Sequence, residues 1–431
     1  MKTSHPTPHL TSGPDKTLLV IGYVWPEPDS SAAGSRMLQL LQAFQQGGYR
    51  VVYASPADDS PHAADLAALS VQTQRIELNA ASFDAFIQQL QPAAVLFDRF
   101  MMEEQFGWRV EKFCPQALRI LDTEDLHSLR HARHAMLKAD PDRLPLEPPA
   151  EFTSSELAIR EIAAILRCDL TLMISEFEMA WLQTRFQVPA GQLLYLPFMQ
   201  EHQVATAVPG FAGRQHFVSI GNFRHEPNWD AVRYLKEQLW PAIRTALPQA
   251  ELHVYGAYPP KKATQLHNDK QGFLVKGWAP DARQVISQAR VLLAPLRFGA
   301  GLKGKLIDAA QCGTPAVTTA IGAEGMYAAD SPCALIADTA PALTRAAITL
   351  YQDEALWRQL QQNALQLIER RFAYAGHATR FLQRLAEVDA QLTQHRQQHF
   401  YGMMLRHHSL KSTQYMAQWI EAKNRLTGAG E

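Results

Sequence analysis

The sequence predicts two doubly wound α/β domains in tandem. Three observations predict them: short apolar runs alternate with helical patterns, the alternation breaks and restarts near residue 200, and 431 residues suit two or three domains of ordinary size. In the first half the strand candidates are 17–24, 49–54, 71–78, 93–97, 118–121 and 170–174, rich in β-branched residues or leucine and bounded by Pro, Gly or Asp. Helices fall between them at 35–46, where Met37, Leu40, Leu41 and Phe44 share a face before Gly47-Gly48, and at 83–91 and 156–166. Strands joined by helices of this length make βαβ units and hence a parallel sheet.

The rhythm breaks at 138–152, where Pro141, Pro145, Pro148 and Pro149 predict a surface excursion, and again at 195–211, where Pro197, Pro209 and Gly210 flank a polar stretch. It restarts with strands at 216–221, 251–256, 273–277, 291–296 and 315–319 and helices at 230–246, 282–289 and 305–312, with helical patterns continuing over 340–394. The expected organisation is a flexible N-terminus (1–16), a front domain (17–200), a back domain (201–390) and a basic, aromatic-containing tail (391–431).

The chain holds 41 Lys and Arg against 42 Asp and Glu, for a net charge of −1, with 47% apolar residues, which excludes a disordered or fibrous protein. That balance hides an asymmetry. Residues 1–200 carry 16 basic and 24 acidic side chains, residues 201–390 carry 20 and 16, and the last 41 carry five and two. The asymmetry points to an anionic ligand on the back half once a motif there agrees with it, and the acidic front half is not expected to meet nucleic acid or a strongly anionic lipid face. The longest apolar runs are far short of the roughly 20 residues of a membrane-spanning helix. The first residues lack the apolar stretch of a secretory signal, so a cytoplasmic location is expected. Cys114, Cys168, Cys312 and Cys333 are widely spaced, form no C-x-x-C pair and read as reduced, buried thiols. Sixteen histidines show no H-E-x-x-H spacing, and neither G-x-S-x-G nor a Walker A pattern occurs. Neither Gly22 nor Gly34 begins a G-x-G-x-x-G, which removes the dinucleotide-dependent dehydrogenase.

The sharpest motif is Pro295-Leu-Arg297-Phe-Gly299-Ala-Gly301-Leu-Lys303-Gly304-Lys305-Leu-Ile-Asp308-Ala-Ala-Gln-Cys-Gly313-Thr-Pro315. A strand ends, glycines free the backbone, two lysines follow, and a helix opens with a carboxylate in its early turns. In an open parallel sheet ligands sit at the carboxyl ends of strands, and a helix N-terminus offers unpaired N–H groups to phosphate. In the front half, Ser30-Ser31-Ala-Ala-Gly34-Ser35 links the first strand to its helix, with Ser31 or Ser35 as a candidate cap. Leu121-Asp122-Thr-Glu124-Asp125-Leu-His127 places three acids and a histidine after a strand. Glu161, Asp169, Ser175, Glu176 and Glu178 read as structural, with Ser175 and Glu178 as a capping box.

Residues 216–326 resemble the nucleotide-binding half of the retaining glycosyltransferases of family 4, which have the GT-B fold of two Rossmann-like domains facing a cleft. The resemblance rests on Ser219-Ile-Gly221-Asn222-Phe-Arg224 with Pro227-Asn228-Trp-Asp230, on Val275-Lys-Gly277-Trp278-Ala-Pro-Asp281, on the 297–315 block, and on Thr319-Ala-Ile-Gly322-Ala-Glu324-Gly325-Met326; it weakens but continues over about 17–385. It implies a nucleoside-diphosphate sugar as donor, with no cofactor and no required metal. Lys303 and Lys305 are the implied catalytic cations at the diphosphate, with Asp125 and His127 facing the sugar. The implied donor-binding residues are Gly34, Asn222, Arg224, Trp278, Arg297, Gly299, Gly301, Asp308, Gly322 and Glu324. Many members carry two glutamates seven residues apart; here those positions hold Ala300 and Asp308. The expected function is transfer of a hexose, with retention, to a glycan, lipid-linked or protein acceptor in glycan or polysaccharide biosynthesis; the alternative is a non-catalytic scaffold of the same fold that binds nucleotide sugars. The tail, with Phe400, Tyr401, Tyr415, Trp419 and Ile420 among basic residues, either packs on its own protein or docks peripherally on a membrane face.

Overall fold

The computed structural model describes residues 16–142, 144, 146–201, 208–327 and 332–428. The predicted segment 1–16 lies outside them except for Lys16. Seven parallel strands form the first sheet: β1 (Lys16–Ile21), β2 (Tyr49–Ser55), β3 (Gln72–Arg75), β4 (Ala94–Asp98), β5 (Leu118–Asp122), β6 (Leu170–Met173) and β7 (Leu193–Tyr195), in the order β3-β2-β1-β4-β5-β6-β7. The second has β8 (Gln215–Ile220), β9 (Leu252–Tyr255), β10 (Phe273–Gly277), β11 (Ala289–Ala294), β12 (Ala316–Thr318) and β13 (Ala334–Ile336), in the order β10-β9-β8-β11-β12-β13. Each order reverses once, between β1 and β4 and between β8 and β11, and such reversals open a crevice at the strands' carboxyl ends.

Because helices cover both faces, the central strands are apolar throughout. In β1, Leu19 and Ile21 enter one core while Leu18 and Val20 enter the other, all with no exposure. Phe217 and Val218 divide in the same way between the two faces of the second sheet. The short edge strands β7 and β13 escape the sequence reading because three residues are too few to show a period.

The back domain is shorter than the sequence suggests. Phe372 belongs to the second domain's core, but Tyr374, Ala378, Phe381, Leu385, Val388 and Leu392 complete one face of the first. Phe381 meets Phe44 edge-on at 4.9 Å, and truncating such a ring costs about 3–5 kcal/mol. The two crossings pair with each other: Gln200 N–H donates to Phe372 O at 2.6 Å, and Tyr374 N–H donates to Gln200 O at 2.8 Å. The returning segment 374–431 adds seven basic and four acidic residues to the front domain, so the charge asymmetry between the two halves persists in weaker form.

The tail forms the helix Phe400–Gly428, which packs on the helices Phe100–Phe113 and Glu156–Arg167. It does so through Gly402 and Ala417 and leaves Phe400, Tyr401, Tyr415 and Trp419 exposed, so the aromatic residues are not what holds it. Among the described residues no helix is long and apolar enough to cross a membrane. All four cysteines are buried and none is in a disulfide.

Candidate active site

The glycine block forms the loop from β11 to the helix Gly304–Gln311. Lys303 is buried beneath it and donates to Ala300 O at 2.9 Å, bracing the loop from inside. Lys305 leaves the first turn toward the end of β8, where its Nζ donates to Asn228 Oδ1 at 2.8 Å. A Cβ on Gly221 would lie 2.8 Å from that Nζ, so the cation sits against the backbone at the end of β8. Burial, reinforced by the nearby Lys303, lowers Lys305 to about 7. Asn222 shapes the same turn: its side chain accepts from Arg224 N at 2.8 Å and its carbonyl from Asn228 Nδ2 at 3.0 Å.

Opposite this loop lie the carboxyl ends of β4 and β5. Two residues there, Arg99 (φ +69°) and Glu124 (φ +59°), hold a left-handed backbone that ordinary side chains rarely adopt, and such strain collects at functional sites. Glu124 is 8% exposed and its carboxyl has no hydrogen-bond partner among the described residues; burial, with Asp122 and Asp98 nearby, raises it well above the usual carboxylate range. Asp125 is held well below the usual carboxylate range, because the Arg130 guanidinium paired with it outweighs its burial. Burial lowers His127 to about 4, so its ring is neutral at pH 7. The helix His127–Ala139 has no cap of its own; the Glu161 carboxylate accepts from His127 N at 2.8 Å and Ser128 N at 2.9 Å.

The two domains meet across these elements. A Cβ on Gly304 would lie 2.4 Å from Ala32 Cβ, so the N-termini of the helices Gly304–Gln311 and Ala32–Gln46 abut. Gly301 (φ +64°) is pressed against Asp125 and Ile174, to which an added Cβ would come within 2.8 and 2.9 Å. Ser31 caps its helix as expected, accepting from Gly34 N at 3.1 Å. Gly34 itself is required by packing, since a Cβ would strike the Glu27 backbone. Arg133 reaches over to Glu324 in a bidentate pair at 2.9 and 2.7 Å and also donates to Gly299 O at 2.9 Å. Trp278 donates to Asp29 O at 2.9 Å, and Tyr258 to Glu27 Oε1 at 3.0 Å.

Glu178 differs from the sequence expectation. Ser175 caps its helix as a capping box requires, but the Glu178 side chain turns away and its Oε1 accepts from Leu126 N at 3.0 Å and from Gly301 N at 2.9 Å. One front-domain carboxyl thus holds the back domain's glycine loop. Its Oε2 is buried without a partner among the described residues, and burial together with Asp125 raises the group's affinity for its proton.

The structure therefore brings Lys303, Lys305, Asn222, Gly299, Gly301, Glu324, Asp125 and His127 to one cleft. Two predicted arginines are engaged elsewhere: Arg297 forks onto Asp230, with its Nε 2.9 Å from Oδ2, and Arg224 lies over the Tyr258 ring at 3.6 Å. Gly322 is buried and donates to Thr319 Oγ1 at 3.0 Å. Asp308 lies 3.8 Å from Arg283 Nε, and desolvation raises it to about 6. Ala300, where a carboxylate is common in the resembled family, packs into the front domain's core. Arg133 and Glu178 were missed because their partners lie far away in sequence, and Arg99 because a positive φ at an arginine leaves no mark in the sequence. Away from the cleft, His216, Glu251 and His253 cluster, but His216 Nδ1 accepts from Glu251 N at 3.2 Å, which leaves the neutral ring's proton on Nε2 toward the carboxylate.

Two central-cleft domains with these sheet orders define the GT-B class, and comparison bears this out. Residues 214–353 match the family model described as Glycosyl transferases group 1. Sucrose-phosphate synthase from Thermosynechococcus elongatus superposes with a TM-score of 0.63 at 17% identity, covering 87% of this chain and 99% of that one. WaaG, a glycosyltransferase involved in lipopolysaccharide biosynthesis, gives 0.58 at 13%, covering 85% and 98%. Anabaena HepE, solved in complex with UDP and glucose, gives 0.59 at 12%, covering 86% and 99%. No curated protein matches the chain by sequence.

Proposed function

We propose that the protein transfers a sugar, a hexose in our reading, from a nucleoside-diphosphate sugar to an acceptor hydroxyl with retention, in the synthesis of a glycan or glycoconjugate. The observation that carries this reading is the convergence of two helix N-termini, at Ala32 and Gly304, beside the Lys305 ammonium. Two positive dipole ends and a cation repel one another unless an anion lies against them, and a diphosphate supplies that anion. In this reading Lys305 neutralises the charge that develops on the leaving diphosphate, the two helix ends stabilise it, and Lys303 braces the loop. The leaving phosphate takes the acceptor's proton, and no covalent intermediate on the protein is invoked. Asp308 binds ribose, the 277–280 turn borders the base, and Asp125 and His127 face the sugar. The match of residues 214–353 to glycosyl transferases group 1 supports the assignment of the donor to the back domain.

The test is calorimetric titration of the full chain with uridine, guanosine and adenosine diphosphates, followed by mass spectrometry of sugar transfer or hydrolysis from the matching donors. Binding to the parent and its loss in Lys305→Ala supports the reading; binding unchanged in that variant overturns it. The burial of Ala300 in the front core favours one alternative, a non-catalytic scaffold, and binding without any turnover selects it.

A further inference from the structure

The helix Phe400–Gly428 is amphipathic in the reverse of the usual sense. Seven of the fifteen exposed large apolar side chains among the described residues lie on this one helix. At 100° per residue, Tyr401, Met404, Tyr415, Trp419 and Leu426 fall within a sector of about 60°, while Gly402 and Ala417 point the opposite way into the protein. Tyr415, Trp419 and Leu426 are 63%, 60% and 80% exposed. The small residues do the packing: Ala417 sits on Trp108, and a Cβ on Gly402 would strike Leu166 O at 2.3 Å. Nothing in the fold requires an aromatic outer face, and a solvated helix does not place Trp, Tyr and Leu there.

The front domain as a whole keeps its acidic excess, but this helix is basic, and its own charges decide what it faces. Lys411 and Lys423 border the stripe on either side, and Lys423 Nζ lies 5.4 Å from the Trp419 ring centroid. The one acid on the helix, Glu421, is turned toward Arg109 and Arg425. Tyr and Trp are the side chains that settle at a membrane–water boundary, and basic residues beside them are attracted to anionic headgroups. A second copy pairing through the same stripe would set lysines against lysines, which opposes it. We propose that this outer face is a docking surface for an anionic phospholipid bilayer, on which the helix lies in the interface plane. The proposal stands apart from the reading of the cleft, because it needs no donor.

The full chain is sedimented with vesicles of phosphatidylcholine alone and of phosphatidylcholine with about 30 mol % phosphatidylglycerol. The expected result is at least about tenfold stronger partition onto the anionic vesicles. Tyr415→Ser with Trp419→Ser lowers it about tenfold at unchanged Tm, and Lys411→Gln with Lys423→Gln removes most of its salt dependence. Both pairs are exposed, so neither tests folding. Failure of the parent to bind anionic vesicles, or equal binding by parent and aromatic variant, overturns the proposal. So does a dimer in solution that the aromatic substitutions dissociate without any vesicle binding by the parent.

Discussion

The two domains share an architecture and solve the same local problem in opposite ways. In each, the chain must turn sharply after the central strands, and a positive φ does it. The back domain uses glycine at 299 and 301 after β11, so the bare backbone can come close to the facing domain. The front domain uses Arg99 and Glu124, which accept about 1–3 kcal/mol of strain each and present charged or titratable side chains instead. The difference separates two surfaces: the glycine side exposes bare N–H groups beside two lysines, whereas the strained side carries charged and titratable side chains, and the proposed function gives the first to the donor and the second to the sugar.

The largest effect is expected at the contact between the two solutions. Gly301→Ala places a methyl against Asp125 and Ile174 at a backbone angle alanine resists, and transfer measured at saturating donor should fall at least about a hundredfold. Lys305→Ala removes a charge-assisted contact of about 2–3 kcal/mol, so nucleoside-diphosphate affinity by calorimetry should drop roughly 30- to 150-fold. The same lysine sets a pH dependence. With a value of about 7 in the free protein, it is charged below that pH and increasingly neutral above it. A bound diphosphate restores the charge, so binding takes up a proton above pH 7, and affinity falls by up to about tenfold per pH unit as pH rises; titrations in buffers of different ionisation enthalpy measure that uptake.

Glu178→Ala frees the glycine loop and should cost about tenfold in transfer, while Glu178→Gln, which keeps an acceptor oxygen for the Gly301 N–H, should stay within about threefold of the parent. A glutamine as damaging as alanine would show that a charge, and not the shared hydrogen bond, is needed there. The smallest effect is the most discriminating. Glu124→Gly relieves strain and should raise stability by about 1 kcal/mol in denaturant unfolding, lowering transfer without changing nucleoside-diphosphate affinity. A loss of both would show that the strained side also holds the donor.

Much of the fold was legible because long βαβ units repeat a strong period, and the glycine loop because its chemistry is contiguous. What stayed hidden was nonlocal. Arg297 reads as a free cation until Asp230, 67 residues earlier, is found forked to it. Glu178 reads as half a capping box until Gly301, 123 residues on, is found donating to it. Glu161 caps a helix that begins 34 residues before it. The return of residues 374–392 to the first sheet left no signal either, since an apolar helix face does not say which sheet it will cover.

That return gives the chain an order of assembly. The second domain is continuous, from β8 to Phe372, and can close its core as soon as it leaves the ribosome. The first, although its strands are made earlier, lacks one wall until Phe381 and Leu385 arrive against Phe44 and Leu41. Synthesis therefore finishes the second domain before the domain that begins the chain, and for about 180 residues of translation an unfinished apolar face of the front domain is left for chaperones to guard.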